Sequence, residues 1–121
     1  MLVIPGKLVG LNEYTNANRT NRYKGSKMKN HNEQIIFQAI RQAKLQKVGK
    51  YPIHLKITWY EPNKRRDIDN ITFATKFILD SLVKMGIIED DGQRFVDKIT
   101  HEVLIDKNNP RIEVEICNKK N

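Results

Sequence analysis

The chain has 121 residues and a formal net charge of +8, with 39% hydrophobic and 30% charged residues. This length predicts one domain, residues 1–121, because it suffices for a single hydrophobic core. The apolar runs fall far short of the roughly 18 to 20 residues that a membrane span needs, so we expect no membrane partner.

Two features of the sequence favour a reducing compartment. The segment from Met1 to Lys7 lacks the basic stretch and apolar core of a secretory leader. The single cysteine, Cys117, excludes a disulfide within the chain. We therefore expect a cytoplasmic protein in which Cys117 is buried in the last predicted strand.

The first half of the chain predicts a strand, a loop and a helix. Residues 2–11 have an extended pattern that Pro5-Gly6 interrupts. Residues 14–30 are rich in Asn, Lys and Arg and poor in apolar side chains, which predicts a mobile surface loop. From residue 32 to residue 47 apolar side chains recur at helical spacing, and Gly49 is a suitable helix cap.

The second half predicts a strand, a helix and two further strands. Apolar and polar residues alternate over residues 53–60, and a helical stripe follows over residues 69–85, with Asp69 as its N-cap and Gly86 at its end. Strands are predicted at residues 95–104 and 112–116, joined by a hairpin loop over residues 106–110. The order βαβαββ predicts a single α/β (α+β) domain with a mixed β-sheet and two helices.

Positive charge is concentrated in the first half of the chain. Between Tyr14 and Lys50 there are nine Lys or Arg residues and one acid, Glu33. This distribution predicts contact with a nucleic-acid backbone; the alternative is a solvated charged face. Tyr14 and Tyr23 could stack on bases or only anchor the predicted loop. The residues expected to contact DNA are Arg19, Arg22, Lys24, Lys27 and Lys29 in the loop, and Lys64, Arg65 and Arg66 further along.

Two acidic clusters stand out in this basic chain. Asp67 and Asp69 follow three cations directly, and Glu89-Asp90-Asp91 follows the second predicted helix. Clustered carboxylates repel one another unless a cation lies between them, so the pattern suggests a divalent metal. Hard oxygen ligands without a His or Cys cluster favour Mg²⁺, or Mn²⁺, over zinc. The alternative is that these acids only cap a helix and form a turn.

Three pieces of this region together resemble the RusA family of small homodimeric Holliday junction resolvases. They are R-R-D-I-D-N-I at residues 65–71, Lys76, and D-S-L-V-K-M-G-I-I-E-D-D at residues 80–91. The resemblance covers residues 64–96 well and is compatible with the rest of the chain in length, strand order and basic segment.

The resemblance implies a role for each matching residue. Asp67, Asp69 and Asp91 would be the catalytic, metal-binding carboxylates. The family also carries a functional lysine four residues after the second aspartate, where this chain has Phe73. Lys76 lies seven residues after Asp69. Positions 73 and 76 fall on one face of a continuous helix, so we expect Lys76 to take the role of the family's lysine.

The sequence therefore predicts a Mg²⁺-dependent endonuclease that makes paired symmetric nicks in four-way DNA junctions. A two-fold symmetric substrate calls for two equivalent sites and hence a homodimer, with Phe73 and Phe77 as candidates for its seam. Whether Asp91 meets Asp67 within one chain or across the dimer stays open. Two alternatives also stay open: a nuclease for flaps or single strands, and a non-catalytic basic nucleic-acid-binding module. No nucleotide cofactor is expected, because the sequence has no phosphate-binding glycine loop.

Overall fold

A mixed four-stranded sheet carries four helices in this structure, a computed structural model that describes residues 1–118. Residues 119–121 of the predicted domain lie outside the described range. The elements, in chain order, are β1 (Leu2–Pro5), α1 (Leu11–Thr20), α2 (Arg22–Ala43), β2 (Ile53–Glu61), α3 (Ile68–Thr72), α4 (Thr75–Lys84), β3 (Val96–Ile105) and β4 (Arg111–Asn118).

The predicted α+β class with a mixed sheet is confirmed. The strand order is β1-β4-β2-β3; β2 runs parallel to β3, and β4 is antiparallel to both β2 and β1. The predicted alternation in β2 is also confirmed, because Ile53, Leu55, Ile57 and Trp59 are all buried. These side chains form the floor of the core.

The predicted hairpin over residues 106–110 is wrong. The loop does join consecutive strands, but β3 and β4 lie on opposite sides of β2 and do not pair with each other. Arg111 fastens this crossing loop by donating hydrogen bonds to Asp106 (Nη1–Oδ2 2.8 Å) and Glu113 (Nε–Oε2 2.8 Å). The Asp106 bond also lowers the pKa of that carboxyl.

The predicted mobile loop over residues 14–30 is also wrong, because α1 and the first turns of α2 occupy it. Leu11, Tyr14 and Ala17 recur at a spacing of three and are half-buried, but this apolar stripe is sparse and no residue of α1 is fully buried. Tertiary contacts stabilise it instead. Tyr14 packs on Phe73 and Phe77, each with ring centroids 5.4 Å apart.

Two helix boundaries differ from the prediction. Helix α2 ends at Ala43, where Lys44 takes the left-handed cap conformation (φ 53°), so Gly49 is not the cap. The second predicted helix is divided at Phe73-Ala74 into α3 and α4. The predicted stop at Gly86 is consistent with its φ of 74°, which a glycine adopts without strain.

One hydrophobic cluster joins the helices to the sheet. Ile36 and Ile40 of α2, together with Phe77 and Leu82 of α4, are buried in it. None of the helices in residues 1–118 is long and apolar enough to cross a membrane. Cys117 lies in β4 as expected but is only half-buried, so its predicted burial is wrong; partial desolvation still raises the pKa of its thiol.

Candidate active site and nucleic-acid interface

A buried ion pair fixes the chain where β2 ends and the acidic motif begins. Arg66 donates two hydrogen bonds to Glu61, from Nε to Oε1 (3.0 Å) and from Nη2 to Oε2 (2.8 Å). A third bond runs from Nη1 to the carbonyl oxygen of Leu8 (3.1 Å). The side chains of Arg66 and Glu61 are only 14% and 4% exposed. This arrangement favours a structural role for Arg66 over the phosphate contact predicted from its charge.

Asp67 and Asp69 follow this ion pair, and both are exposed. The predicted cap is misplaced by two residues, since Asp67 occupies the N-cap position of α3 and Asp69 lies in its first turn. The Asp67 carboxylate nevertheless makes no capping hydrogen bond. Asp69 accepts one from the backbone N–H of Asn70 (3.0 Å). Capping therefore does not account for Asp67.

The second acidic cluster lies at the other end of β2. The backbone N–H of Glu89 donates to the hydroxyl of Tyr51 (3.0 Å), just before β2 starts. The nine residues of β2, at about 3.3 Å each, put its two ends roughly 26 Å apart. Because Arg66 holds Asp67 near Glu61, Asp91 and Asp67 are far apart in one chain. Within residues 1–118, no three His, Cys, Asp or Glu side chains converge to bind one metal ion.

The position where the resemblance expects lysine is used for packing. Phe73 contacts Tyr14 of α1 and Phe77 of α4, whose ring centroid is 5.5 Å from its own. Phe77 is 1% exposed, so it cannot form a dimer seam, and the half-buried Phe73 serves the same aromatic cluster. Lys76 is exposed near the start of α4. Phe73 and Ala74 keep right-handed helical backbone angles, and the N–H of Lys76 donates to the carbonyl oxygen of Phe73 (3.3 Å), so positions 73 and 76 stay one tight turn apart across the break between α3 and α4.

Five of the eight predicted DNA-contacting cations lie on a helical hairpin formed by α1 and α2. Arg19, Arg22, Lys24 and Lys27 are exposed there. A groove of about 650 Å³ runs between the two helices. Its lining residues are Asn16, Ala17, Thr20, Lys24, Lys27, Met28 and His31.

Few acids oppose these cations. The carboxylate of Glu33 is buried and bonded to Lys84 (2.8 Å), so it does not reach the hairpin surface. Lys29 is partly engaged with Asp80, at 3.7 Å. Glu13, in the first turn of α1, is an exposed acid on the hairpin. The face is therefore mainly positive.

The aromatic residues and the two cations beside the acidic motif differ in availability. Tyr23 is 68% exposed, with the Lys27 ammonium 5.6 Å from its ring centre. Tyr14 is half-buried and its ring packs on Phe73 and Phe77, so it is not free to stack on bases. Lys64 and Arg65 are exposed, next to Asp67. These two remain candidates for phosphate contact.

The three histidines lie apart in the fold. His31 lines the groove and His54 is hydrogen-bonded to Thr100 (3.1 Å). His101 accepts a hydrogen bond at Nδ1 from the indole N–H of Trp59 (3.0 Å). Burial lowers the pKa of His101, which favours the neutral ring that this bond requires.

Two exposed carboxylates lie on a turn that the buried Arg66–Glu61 ion pair holds in place, close to a basic helical hairpin. This arrangement is typical of a small α+β protein that acts on nucleic acid. The family model for the endodeoxyribonuclease RusA matches residues 5–117, and the chain belongs to that family. Family membership supports a nuclease of the Holliday junction resolvase type. A search of curated protein sequences found no match.

The sequence did not reveal three supports of the site: the buried role of Arg66, its partner Glu61, and the fit of Asn70 against α1. The first two carry charge, which gave no sign of burial. Asn70 belongs to the matched motif, but its contact is with Asn12, 58 residues away, and no local pattern encodes it.

Proposed function

We propose that the protein is a Mg²⁺-dependent endonuclease that resolves four-way DNA junctions by paired symmetric nicks as a homodimer. The exposed Asp67 carboxylate, which occupies a cap position without capping, is the observation that carries the proposal. A free carboxylate beside cations in a chain of charge +8 is explained by a ligand role.

The donor set fits the metal. Asp67 and Asp69 offer accessible carboxylate oxygens on a turn that Arg66 holds in place, and hard oxygens are what Mg²⁺ and Mn²⁺ prefer. When bound, such an ion neutralises phosphate charge and lowers the pKa of a bound water. Asp67 and Asp69 would supply the charge that holds the ion, and Asp91 would complete the set.

A homodimer supplies the missing carboxylate. Because Asp91 lies far from Asp67 within one chain, a complete site needs Asp91 of the partner subunit. An apolar surface next to the acidic turn supports such an interface. Ile68 is 60% exposed and Ile105 is 44% exposed, and both line a recess of about 240 Å³ that also contains Val103 of the edge strand β3. Exposed aliphatic side chains clustered in this way are typical of association surfaces.

Cations on the hairpin would hold the junction arms. Arg19 lies on α1, and Arg22, Lys24 and Lys27 lie on α2; all four are exposed and would contact phosphates of the DNA backbone. Lys64 and Arg65 would contact phosphates closer to the acidic turn. Lys76, exposed at the start of α4, would stabilise charge that develops on the scissile phosphate.

The decisive test compares substrates in the presence and absence of metal. Purified protein is incubated with a labelled four-way junction, a flap, a single strand and a linear duplex, each with Mg²⁺ or with EDTA. We expect cleavage of the junction alone, at symmetric positions and only with Mg²⁺. Binding to the junction should persist in EDTA, because the cations hold the DNA.

Two results would redirect the proposal. Junction binding without cleavage at any Mg²⁺ or Mn²⁺ concentration would identify a non-catalytic binding module. Preferential cleavage of the flap or the single strand would identify a nuclease with a different structure preference. The test for binding without cleavage is necessary because the acidic clusters are far apart within one chain, so a monomer would lack a complete site.

A further inference from the structure

Three long-range hydrogen bonds converge on the segment Leu8–Asn12, which leads into α1. The carbonyl oxygen of Leu8 accepts from Arg66 Nη1 (3.1 Å). The N–H of Val9 donates to Oδ1 of the buried Asn32 (2.9 Å). The N–H of Asn12, in the first turn of α1, donates to Asn70 Oδ1 (3.0 Å). The segment is therefore fixed to α2, to the end of β2 and to α3.

Asn70 acts as a helix cap supplied by a distant element. Gly10 is the N-cap residue of α1 and has no side chain to satisfy the first N–H groups. Asn70 Oδ1 takes that place from α3, 58 residues further along the chain. The acceptor also matches the positive end of the helix dipole.

Gly10 is needed for this contact because of space. Its backbone angles, φ −87° and ψ 168°, are open to any residue. A Cβ added at Gly10, however, would lie 2.6 Å from Asn70 Oδ1 and 3.0 Å from Cγ. A side chain at position 10 would thus force Asn70 away from α1.

Two of these hydrogen bonds, Arg66 to Leu8 and Asn12 to Asn70, lie on either side of the candidate metal ligands in the sequence; we call them the two ties. Arg66 precedes Asp67 and Asn70 follows Asp69, and each bonds to the Leu8–Asn12 segment. Helix α3 has only five residues, too few to be stable without tertiary contacts. The direction of the two carboxylates therefore depends on how both ends of the turn are held.

From this geometry we infer that Asn70 is a positioning residue: it fixes the Asp67–Asp69 turn against the N-terminus of α1 and so sets the metal-binding geometry. The inference rests on the proposed function of the two aspartates. Asn70 acts through its bond to Asn12 rather than on the substrate. The same bond links the carboxylates to the basic hairpin that would hold DNA.

Two substitutions break the tie from opposite sides. Asn70→Ala removes the acceptor, whereas Gly10→Ala displaces it and leaves the residues of the acidic turn themselves unchanged. Asn70→Asp keeps an oxygen at the same place and should preserve the bond to the Asn12 N–H. Gly49→Ala is the matched control, because a Cβ there meets nothing within 4 Å.

The readouts are the Mg²⁺ concentration for half-maximal single-turnover cleavage, junction affinity in EDTA, and Mn²⁺ affinity by calorimetry. Hydrogen exchange of the Asn12 amide in metal-free protein reports the tie directly. We expect Asn70→Ala and Gly10→Ala to raise the half-maximal Mg²⁺ concentration and weaken Mn²⁺ binding by about 10-fold or more, as loss of a ligand-orienting partner does. Asn12 exchange should quicken in both and stay near wild type in Asn70→Asp, whereas Gly49→Ala should stay near wild type in every readout.

The double variant tests the mechanism. In an Asn70→Ala background the Gly10 methyl no longer meets Oδ1, so Gly10→Ala should add little further loss. Additive losses would mean that Gly10 acts by another route and would overturn the inference. Should Asn70→Ala fail to fold, Gly10→Ala still delivers the perturbation.

Failure of the inference is distinguishable from failure of the proposed function. A wild-type protein that cuts the junction, with Asn70→Ala unchanged in metal requirement despite faster Asn12 exchange, would leave a purely structural tie and overturn the inference alone. A wild-type protein that neither cuts nor binds Mn²⁺ would refute both.

Discussion

Mixing two inactive variants should restore activity if each site takes Asp67 and Asp69 from one chain and Asp91 from its partner. Asp67→Asn and Asp91→Asn should each abolish cleavage, because the amide keeps the shape but removes charge from the metal. In a heterodimer of the two, one site carries both substitutions and the other carries neither. One intact site therefore re-forms.

The size of the restored signal follows from the geometry. The ends of β2 are roughly 26 Å apart. Carboxylates that share one Mg²⁺ each lie about 2 Å from it, so no intact site can form within a single chain. Random pairing of equal amounts makes half of the dimers heterodimers, each with one of two sites intact. The mixture should thus nick at about one quarter of the wild-type rate, given a two-fold symmetric dimer.

A plasmid that extrudes a cruciform is the suitable substrate. Paired nicks linearise it, whereas a single nick only relaxes it, so the mixture should give nicked circles and little linear product. The two variants are refolded together, and heterodimers are verified by native mass spectrometry. A mixture of Asp67→Asn with Asp69→Asn is the matched control, since both sites of that heterodimer are broken.

Absence of restored nicking in verified Asp67→Asn/Asp91→Asn heterodimers would refute the shared site. Wild-type cleavage by Asp91→Asn alone would remove Asp91 from the ligand set. Either result would also weaken the argument for the dimer, which depends on the separation of the two clusters.

Four further predictions concern the parts around the site. Arg66→Ala should lower the free energy of unfolding by about 3 to 5 kcal/mol in urea titrations, because it leaves the buried Glu61 carboxylate unpaired; an exposed, dispensable arginine would cost far less. Lys76→Ala should slow single-turnover cleavage by orders of magnitude with little change in junction affinity, and a near-wild-type rate would remove Lys76 from the site. The pKa of His101 is lowered in the folded protein, so its contribution to stability is retained above the unfolded pKa of about 6.5 and declines as the pH falls below that value toward the folded pKa. Urea midpoints measured from pH 7.5 to 5 should therefore fall less for His101→Asn than for the wild type. Identical slopes in the two proteins would exclude His101 as the cause. Neutralising five cations together should flatten the salt dependence of junction binding by roughly 0.9 in log–log slope per lost phosphate contact. These cations are Arg19, Arg22, Lys24, Lys27 and Lys29. An unchanged slope would mean that the hairpin does not touch the DNA backbone.

Local patterns in the sequence determined most of the strands and the family. A strand that buries one face alternates with a period of two, so residues 53–60 identified β2 without reference to any other part of the chain. Gly86 likewise marked a left-handed turn that its own lack of a Cβ permits. The residue types of the acidic motif, with their spacing, were enough to indicate the family that the comparison confirmed.

Tertiary structure alone decided which helices exist in residues 14–30 and what the charged residues do. Helix α1 has only a sparse apolar stripe, and it is held by Asn70 and by aromatic packing of Tyr14 on Phe73, so its polar composition predicted a loop. Burial of Arg66 against Glu61 cannot be read from charge, because an exposed and a buried arginine have the same letter in the sequence.

The sequence also could not predict the distance between the two acidic clusters. Asp67 and Asp91 are 24 positions apart in the chain, and either a short or a long spatial separation was compatible with that spacing. The parallel pairing of β2 with β3 requires the connecting helices to run the full length of the strand, which carries Asp91 to the opposite end. Residue type indicates which side chains are suited to bind a metal ion. The distance between those side chains depends on strand pairing, and only the folded chain fixes it.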